Sequence, residues 1–281
     1  MVYCFRRYAD FNVYACARRP FRKACRAASL TTADYRHSNS VMEIIIAKDY
    51  DSVCELAAEI LTGVFAANPD ATLGLATGST PLGVYARLVS AVSDGALSLA
   101  GCKSFNLDEY VGAGVNDAHS YAYYMRENLF GKTDIDPRNT HLPLGTAPDL
   151  AAECERYTAL LAANRRDIQL LGLGSDGHIA FNEPNTPFDS HTHVAELAES
   201  TVKDNSRLFA NPDDVPRYAL TMGIADIMDA RKILILACGA NKAQAVRGMV
   251  KGEVDERMPA SVLQRHADVT VILDEAAAEL L

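Results

Sequence analysis

Four segments of this chain gather residue types that can move protons or hold an anion. The densest is Leu171-Gly172-Leu173-Gly174-Ser175-Asp176-Gly177-His178-Ile179-Ala180-Phe181-Asn182-Glu183-Pro184. There Asp176, His178 and Glu183 fall in one Gly-rich stretch that follows an apolar run. A carboxylate beside an imidazole can orient it and favour its charged form, while burial opposes that. The plainer alternative is a Gly-rich turn carrying a core histidine. A second segment, Phe105-Asn106-Leu107-Asp108-Glu109-Tyr110, ends a strand-like run in two carboxylates, where a general base would face a cleft; a solvated acidic turn is the other reading. The third, Leu75-Ala76-Thr77-Gly78-Ser79-Thr80-Pro81, runs from a strand into a helix. Hydroxyls and amide groups at a helix N-terminus make an anion cradle, although this segment is itself neither a P-loop nor the G-x-G-x-x-G fingerprint. The last consists of single cations, Arg207 and Lys242, which would complement a phosphate if they faced that cradle.

A metal site has less support. His191-Thr192-His193 could present two imidazoles, but no third ligand accompanies them. No G-x-S-x-G elbow is present, so acyl-enzyme chemistry is not indicated.

These segments need a scaffold, and the hydrophobic pattern supplies one. Strand-like runs at Ile44–Ala47, Thr72–Ala76, Lys103–Leu107, Asp167–Leu173, Tyr218–Met222, Lys232–Cys238 and Val269–Leu273 alternate with helical periods. The helical periods cover Asp51–Phe65, Pro81–Val92, His119–Leu129, a stretch from an Asp149 cap to Asn164, and Lys242–Val250, with a short helical tail at the end. This alternation predicts an α/β fold, a mostly parallel sheet flanked by helices, in a single domain over residues 42–281. Ligands of such sheets bind at the carboxyl ends of the strands, which is where the first three segments fall.

Charge divides the 281 residues differently. Residues 1–41 carry +6 and the remainder −15, giving −9 overall. The basic arm shows no sustained period and is expected to be a disordered extension; a targeting peptide and a polyanion-binding arm are the alternatives. The acidic remainder argues against nucleic acid as a partner, and no apolar run is long enough to span a membrane. Seven cysteines without a C-x-x-C pair fit buried free thiols in the cytoplasm better than disulfides or zinc.

Together, Ala76-Thr77-Gly78-Ser79-Thr80-Pro81, Phe105-Asn106-Leu107-Asp108-Glu109-Tyr110, Gly174 through Pro184 and Asn205-Ser206-Arg207 resemble the glucosamine-6-phosphate deaminases, in that family's order and spacing over about residues 42–281. The resemblance implies a Rossmann-like domain that converts glucosamine 6-phosphate and water to fructose 6-phosphate and ammonia, with no cofactor and no metal. It implies that Asp108 shuttles a proton between C2 and C1, and that His178, tuned by Asp176 and Glu183, assists ring opening. It assigns the phosphate to Thr77, Gly78, Ser79, Thr80, Arg207 and Lys242. A small-molecule substrate is the only partner implied, and the oligomeric state is left open. The related 6-phosphogluconolactonases are expected to read Asp-Glu-Arg at 108–110 and to lack Phe181-Asn182-Glu183-Pro184. A hydrolase of that kind and a non-catalytic sugar-phosphate sensor are the alternatives. Some deaminases are activated by N-acetylglucosamine 6-phosphate through basic residues; the aligned positions here are His193 and Ala195, so such activation is not expected.

Overall fold

The computed structural model describes residues 5–6, 31–37, 40–206, 211 and 215–281. Its strands are β1 (Phe5–Arg6), β2 (Thr31–His37), β3 (Ser40–Ala47), β4 (Thr72–Leu75), β5 (Lys103–Asn106), β6 (Asp108–Tyr110), β7 (Thr140–His141), β8 (Ile168–Gly172), β9 (His193–Glu196), β10 (Tyr218–Thr221), β11 (Ile233–Ala237) and β12 (Asp268–Asp274). The α-helices are α1 (Tyr50–Ala67), α2 (Leu82–Ser93), α3 (Tyr121–Asn128), α4 (Leu150–Ala163), α5 (Glu199–Ser206), α6 (Ile224–Met228) and α7 (Ala243–Lys251).

The large sheet runs β1-β2-β3-β12-β11-β8-β4-β5-β7. From β3 to β7 every pairing is parallel, as the strand–helix alternation predicts. All five residues of β11 and the first four of β8 are buried, because helices cover both faces of a parallel sheet. In α1, Val53, Ala57, Leu61 and Phe65 recur every four residues and are all buried, the stripe that binds a helix to a sheet. The Asp49 carboxylate accepts the Ser52 N–H at 2.9 Å to cap α1, and Asp149 accepts the Ala152 N–H at 3.0 Å to cap α4.

Three expectations are corrected. Tyr218–Thr221 does not join the large sheet; it is the centre of a separate antiparallel sheet, β6-β10-β9. The acidic pair does not sit on the end of β5, since that strand stops at Asn106 and Asp108–Tyr110 is itself a strand. The final residues after β12 form turns rather than a helical tail. Within the arm expected to lack structure, Thr31–His37 is a strand that pairs antiparallel with β3, Thr31 opposite Ile46 and His37 opposite Ser40. The remainder of the arm, apart from β1 and the first two residues of β3, lies outside the described residues.

The order in which strands are added reverses between the parallel neighbours β4 and β8. From β4 the chain moves outward to β5 and β7; from β8 it moves the other way to β11 and β12. The crevice beyond the carboxyl ends of such a pair is where open α/β sheets bind ligands. The segments that leave β4 and β8 are Ala76–Pro81 and Leu173–Pro184.

Candidate active site

The segment after β8 folds so that three titratable side chains meet. His178 Nδ1 lies 2.7 Å from Asp176 Oδ1 and 3.7 Å from Glu183 Oε2. The His178 backbone N–H also donates to Asp176 Oδ1 at 3.2 Å. Burial would raise the Asp176 carboxyl, but the adjacent imidazole outweighs burial and holds it at about 2. Glu183 is anchored through its other oxygen, Oε1, which accepts from the Thr201 hydroxyl at 2.6 Å and the Ala198 N–H at 3.2 Å. Two carboxylates therefore bear on one ring nitrogen, which fixes the orientation of the imidazole. Donor atoms of Asp176, His178 and Glu183 also lie within 4.8 Å of one another, close enough to share a cation.

The ring has a close-fitting seat. A Cβ on Gly174 would lie 2.4–2.6 Å from ring atoms of His178, so only glycine leaves room. Gly177 has φ +91, in the left-handed region, and a Cβ there would strike Met258 Sδ. Gly174 and Gly177 are therefore clearances for specific groups.

Asp108 and Glu109, adjacent in sequence, have separate tasks. Glu109 Oε1 accepts the N–H groups of Tyr110 and Tyr121, and Oε2 accepts that of Ala122, each at 2.9 Å. It closes the N-terminus of α3 together with Ser120, whose hydroxyl accepts the Tyr123 N–H. Asp108 is 6% exposed, and its Oδ1 is buried without a hydrogen-bond partner. Burial, with the Glu109 charge adding to it, pushes its carboxyl up to about 8, against a hydrogen bond from the Thr77 side chain. That bond joins the β6 segment to the turn after β4.

The β6 segment is also tied to the His178 loop. Asp108 pairs with Thr221 in the small sheet, and the Thr221 hydroxyl accepts the Phe181 N–H at 3.1 Å. Met222 N–H donates to the Leu107 carbonyl at 2.6 Å, while the Met222 carbonyl accepts from Asn182 Nδ2 at 2.9 Å. Asn182 is fully buried and also donates to the Ile179 carbonyl, across a turn in which Ala180 adopts φ +52. Tyr110, Tyr121 and Phe181 pack as a cluster beneath, with ring centroids 4.9–6.2 Å apart.

Thr77, Gly78, Ser79 and Thr80 lie between β4 and α2, with Gly78 at φ +98. Lys242 ends the 3-10 turn Ala240–Lys242 that leads β11 into α7, at the same end of the sheet. Arg207 lies outside the described residues. Of the two histidines weighed as weak metal ligands, His191 Nδ1 meets Asp226 Oδ1 at 2.7 Å, and His193 Nδ1 meets the His191 carbonyl at 2.8 Å.

Sequence reasoning missed Asn182 and three tyrosines, Tyr50, Tyr85 and Tyr124, that hold carbonyls of the turn after β4. The signal available was only the aromatic richness of α3. A cavity of about 300 Å³ also borders Glu183, with Asn185, Thr186, His193 and Glu196 in its wall.

Comparison with known proteins is consistent with this arrangement. Residues 47–272 match the family described as glucosamine-6-phosphate isomerases/6-phosphogluconolactonase. A glucosamine-6-phosphate deaminase of Rhodopirellula baltica is 50% identical over 243 residues, 86% of this chain and 97% of the relative. One from Shouchella clausii is 48% identical over 85% of this chain and 97% of its own. Among solved structures, a monomeric glucosamine-6-phosphate deaminase superposes with a TM-score of 0.83 at 44% identity, covering 85% of this chain and 99% of that one. A 6-phosphogluconolactonase of Trypanosoma cruzi, 22% identical, shares the fold with a TM-score of 0.69 over 88% and 99%. The chain belongs to the glucosamine-6-phosphate isomerase/6-phosphogluconolactonase family.

Proposed function

We propose that this protein is a glucosamine-6-phosphate deaminase, releasing fructose 6-phosphate and ammonia from glucosamine 6-phosphate and water. The observation that carries the reading is Asp108: a buried carboxyl with one oxygen left without a partner, hydrogen-bonded through Thr77 to an anion-cradle turn.

Isomerising an aldose needs a base beside an acidified C–H, and a positioned carboxylate contributes about 10²–10⁴-fold. Raised to about 8, the Asp108 carboxyl favours its proton near neutral pH. The substrate's own C2 ammonium is a cation that would favour the ionised form on arrival. Asp108 then takes the C2 proton and returns it to C1. His178, oriented by Asp176 and Glu183, takes and returns the proton that opens the pyranose ring. Once C1 has accepted its proton and O1 has taken one from the substrate's own ammonium, C2 is an iminium; water adds there and the nitrogen leaves as ammonium, so atoms and charge balance without an external reductant or oxidant. Thr77, Gly78, Ser79 and Thr80, with Lys242 and Arg207, take the remote phosphate and so fix C1 and C2 against Asp108.

Such an enzyme would serve amino-sugar breakdown in the cytoplasm. That location is supported by the free Cys54, Cys102 and Cys154, all buried. Among the described residues, no helix is long and apolar enough to cross a membrane.

The test is parallel turnover of glucosamine 6-phosphate and 6-phosphogluconolactone, followed as ammonia and as acid release. Ammonia from the amino sugar alone supports the reading. Lactone turnover alone would transfer the site to the hydrolase branch, and ligand-induced stabilisation without turnover would make the protein a sensor.

A further inference from the structure

Three phenols that take no part in the proposed reaction converge on the turn after β4. Tyr85, fully buried in α2, donates to the Ala76 carbonyl at 2.5 Å. Tyr124, in α3, donates to the Gly78 carbonyl at 2.6 Å. Tyr50, the first residue of α1, lies 3.1 Å from both the Ser79 and Thr80 carbonyls and accepts the Gly83 N–H at 3.0 Å. Phenylalanine would fill the same space, so the hydroxyls act on the backbone and not on packing.

Peptide geometry gives these contacts a consequence. In a trans peptide a carbonyl and the following N–H point in opposite directions. A phenol that holds the Ala76 carbonyl turns the Thr77 N–H away from itself. The Gly78 contact does the same for the Ser79 N–H, and the Ser79 contact for the Thr80 N–H. Pro81 contributes no N–H and no side-chain cap to α2. On another side, the turn is held by the Thr77 bond to Asp108, whose Oδ1 is buried without a partner.

We infer that Tyr50, Tyr85 and Tyr124 are positioning residues for the substrate's phosphate, presetting the amides of Thr77, Ser79 and Thr80 as a rigid anion cradle. This rests on the deaminase reading and adds residues that the reading does not name. A cradle set in advance does not have to be ordered at binding, which strengthens the grip without adding a contact to the ligand.

Tyr124→Phe, Tyr50→Phe and the double variant test this, because each removes one oxygen and keeps the ring. Four quantities are measured: KM for glucosamine 6-phosphate, the competitive inhibition constant of inorganic phosphate, kcat and Tm. KM and the phosphate constant are expected to rise together, each by about 3- to 10-fold per hydroxyl removed, the range set by losing one neutral hydrogen bond. At saturation kcat should stay within about twofold, since the phosphate is remote from the reacting carbons. The inference is overturned if neither constant moves, or if kcat and Tm fall while both constants hold. Inorganic phosphate binding, followed by thermal shift in the wild type and all three variants, separates the two claims. If the wild type binds phosphate and the variants bind it more weakly, yet no ammonia is released, the cradle stands and the deaminase reading falls. If ammonia is released and phosphate affinity ignores the hydroxyls, the reverse holds.

Discussion

At the scale of single residues, the two adjacent carboxylates are the most instructive pair. Asp108 and Glu109 are equivalent candidates in the sequence, and only packing separates them. Glu109 spends both oxygens on backbone N–H groups, while Asp108 keeps one oxygen without a partner. Asp108→Asn is expected to lower kcat by about 10²-fold or more while leaving inhibition by inorganic phosphate nearly unchanged. The same residue makes stability depend on pH. Its folded-state carboxyl is raised to about 8 from an ordinary 3.8, so between those values the folded state binds the proton that the unfolded state has lost. The associated stability is present below about pH 4 and disappears as pH rises through about 8. Asp108→Asn should therefore flatten the fall in Tm across that window, and a parallel fall in both proteins would contradict the assignment. Lys242→Ala should raise KM by about tenfold with kcat retained, because a lost charge-assisted contact to a remote group weakens ground state and transition state alike.

At the scale of elements, glycines that a sequence marks only as turns become spacing constraints. Gly174 is the seat of the His178 ring. Gly174→Ala should displace that ring, and a shift of about 1 Å can reduce turnover about 10²-fold. The loss should appear mostly in kcat, with the phosphate inhibition constant kept; unchanged kcat would show that the ring can move without consequence. The Asp176, His178 and Glu183 cluster was legible because it lies within one loop. The bonds joining that loop to Asp108 were not. They pass through Asn182, Thr221 and Met222, and so through β10, a strand that sequence period alone placed in the wrong sheet. An alternation of period two shows that a strand exists but not which neighbours it meets. Short strands such as β6 and β9 offer three or four residues of pattern, too few for a periodic signal. The carbonyl-holding tyrosines were invisible for a related reason, since their partners are backbone groups that carry no residue type.

At the scale of the whole molecule, the strand–helix alternation was enough to indicate a parallel sheet, because buried strands read as apolar runs. Strands near its edge were harder. β2 joins the sheet between β1 and β3 through Thr31–His37, a run mixing Thr and Tyr with charged residues and not an apolar stretch. A chain of residues 42–281 contains the entire family match. It is expected to keep its activity within about twofold while its Tm falls by a few degrees, about what losing 1 kcal/mol produces in a chain of this size. Loss of activity on truncation would give the arm a part in the site. The cavity beside Glu183 contains His193 and Ala195, the positions expected to lack activator bases. The His193 ring is tied to the His191 carbonyl, and Ala195 offers no charge. Rate curves for glucosamine 6-phosphate should be the same with and without N-acetylglucosamine 6-phosphate; a sigmoidal curve made hyperbolic by that ligand would refute this.

The central claim is that one buried carboxyl relays a proton along a sugar held by its phosphate. The most direct measurement follows ¹H-NMR of glucosamine 6-phosphate carrying deuterium at C2, with wild type and Asp108→Asn side by side. The wild type should deplete the label at C2 and deliver fructose 6-phosphate and ammonia, with label either carried to C1 or lost to solvent. The variant should leave C2 labelled and release no ammonia on the same timescale. Equal loss of label from C2 by both proteins would contradict the account.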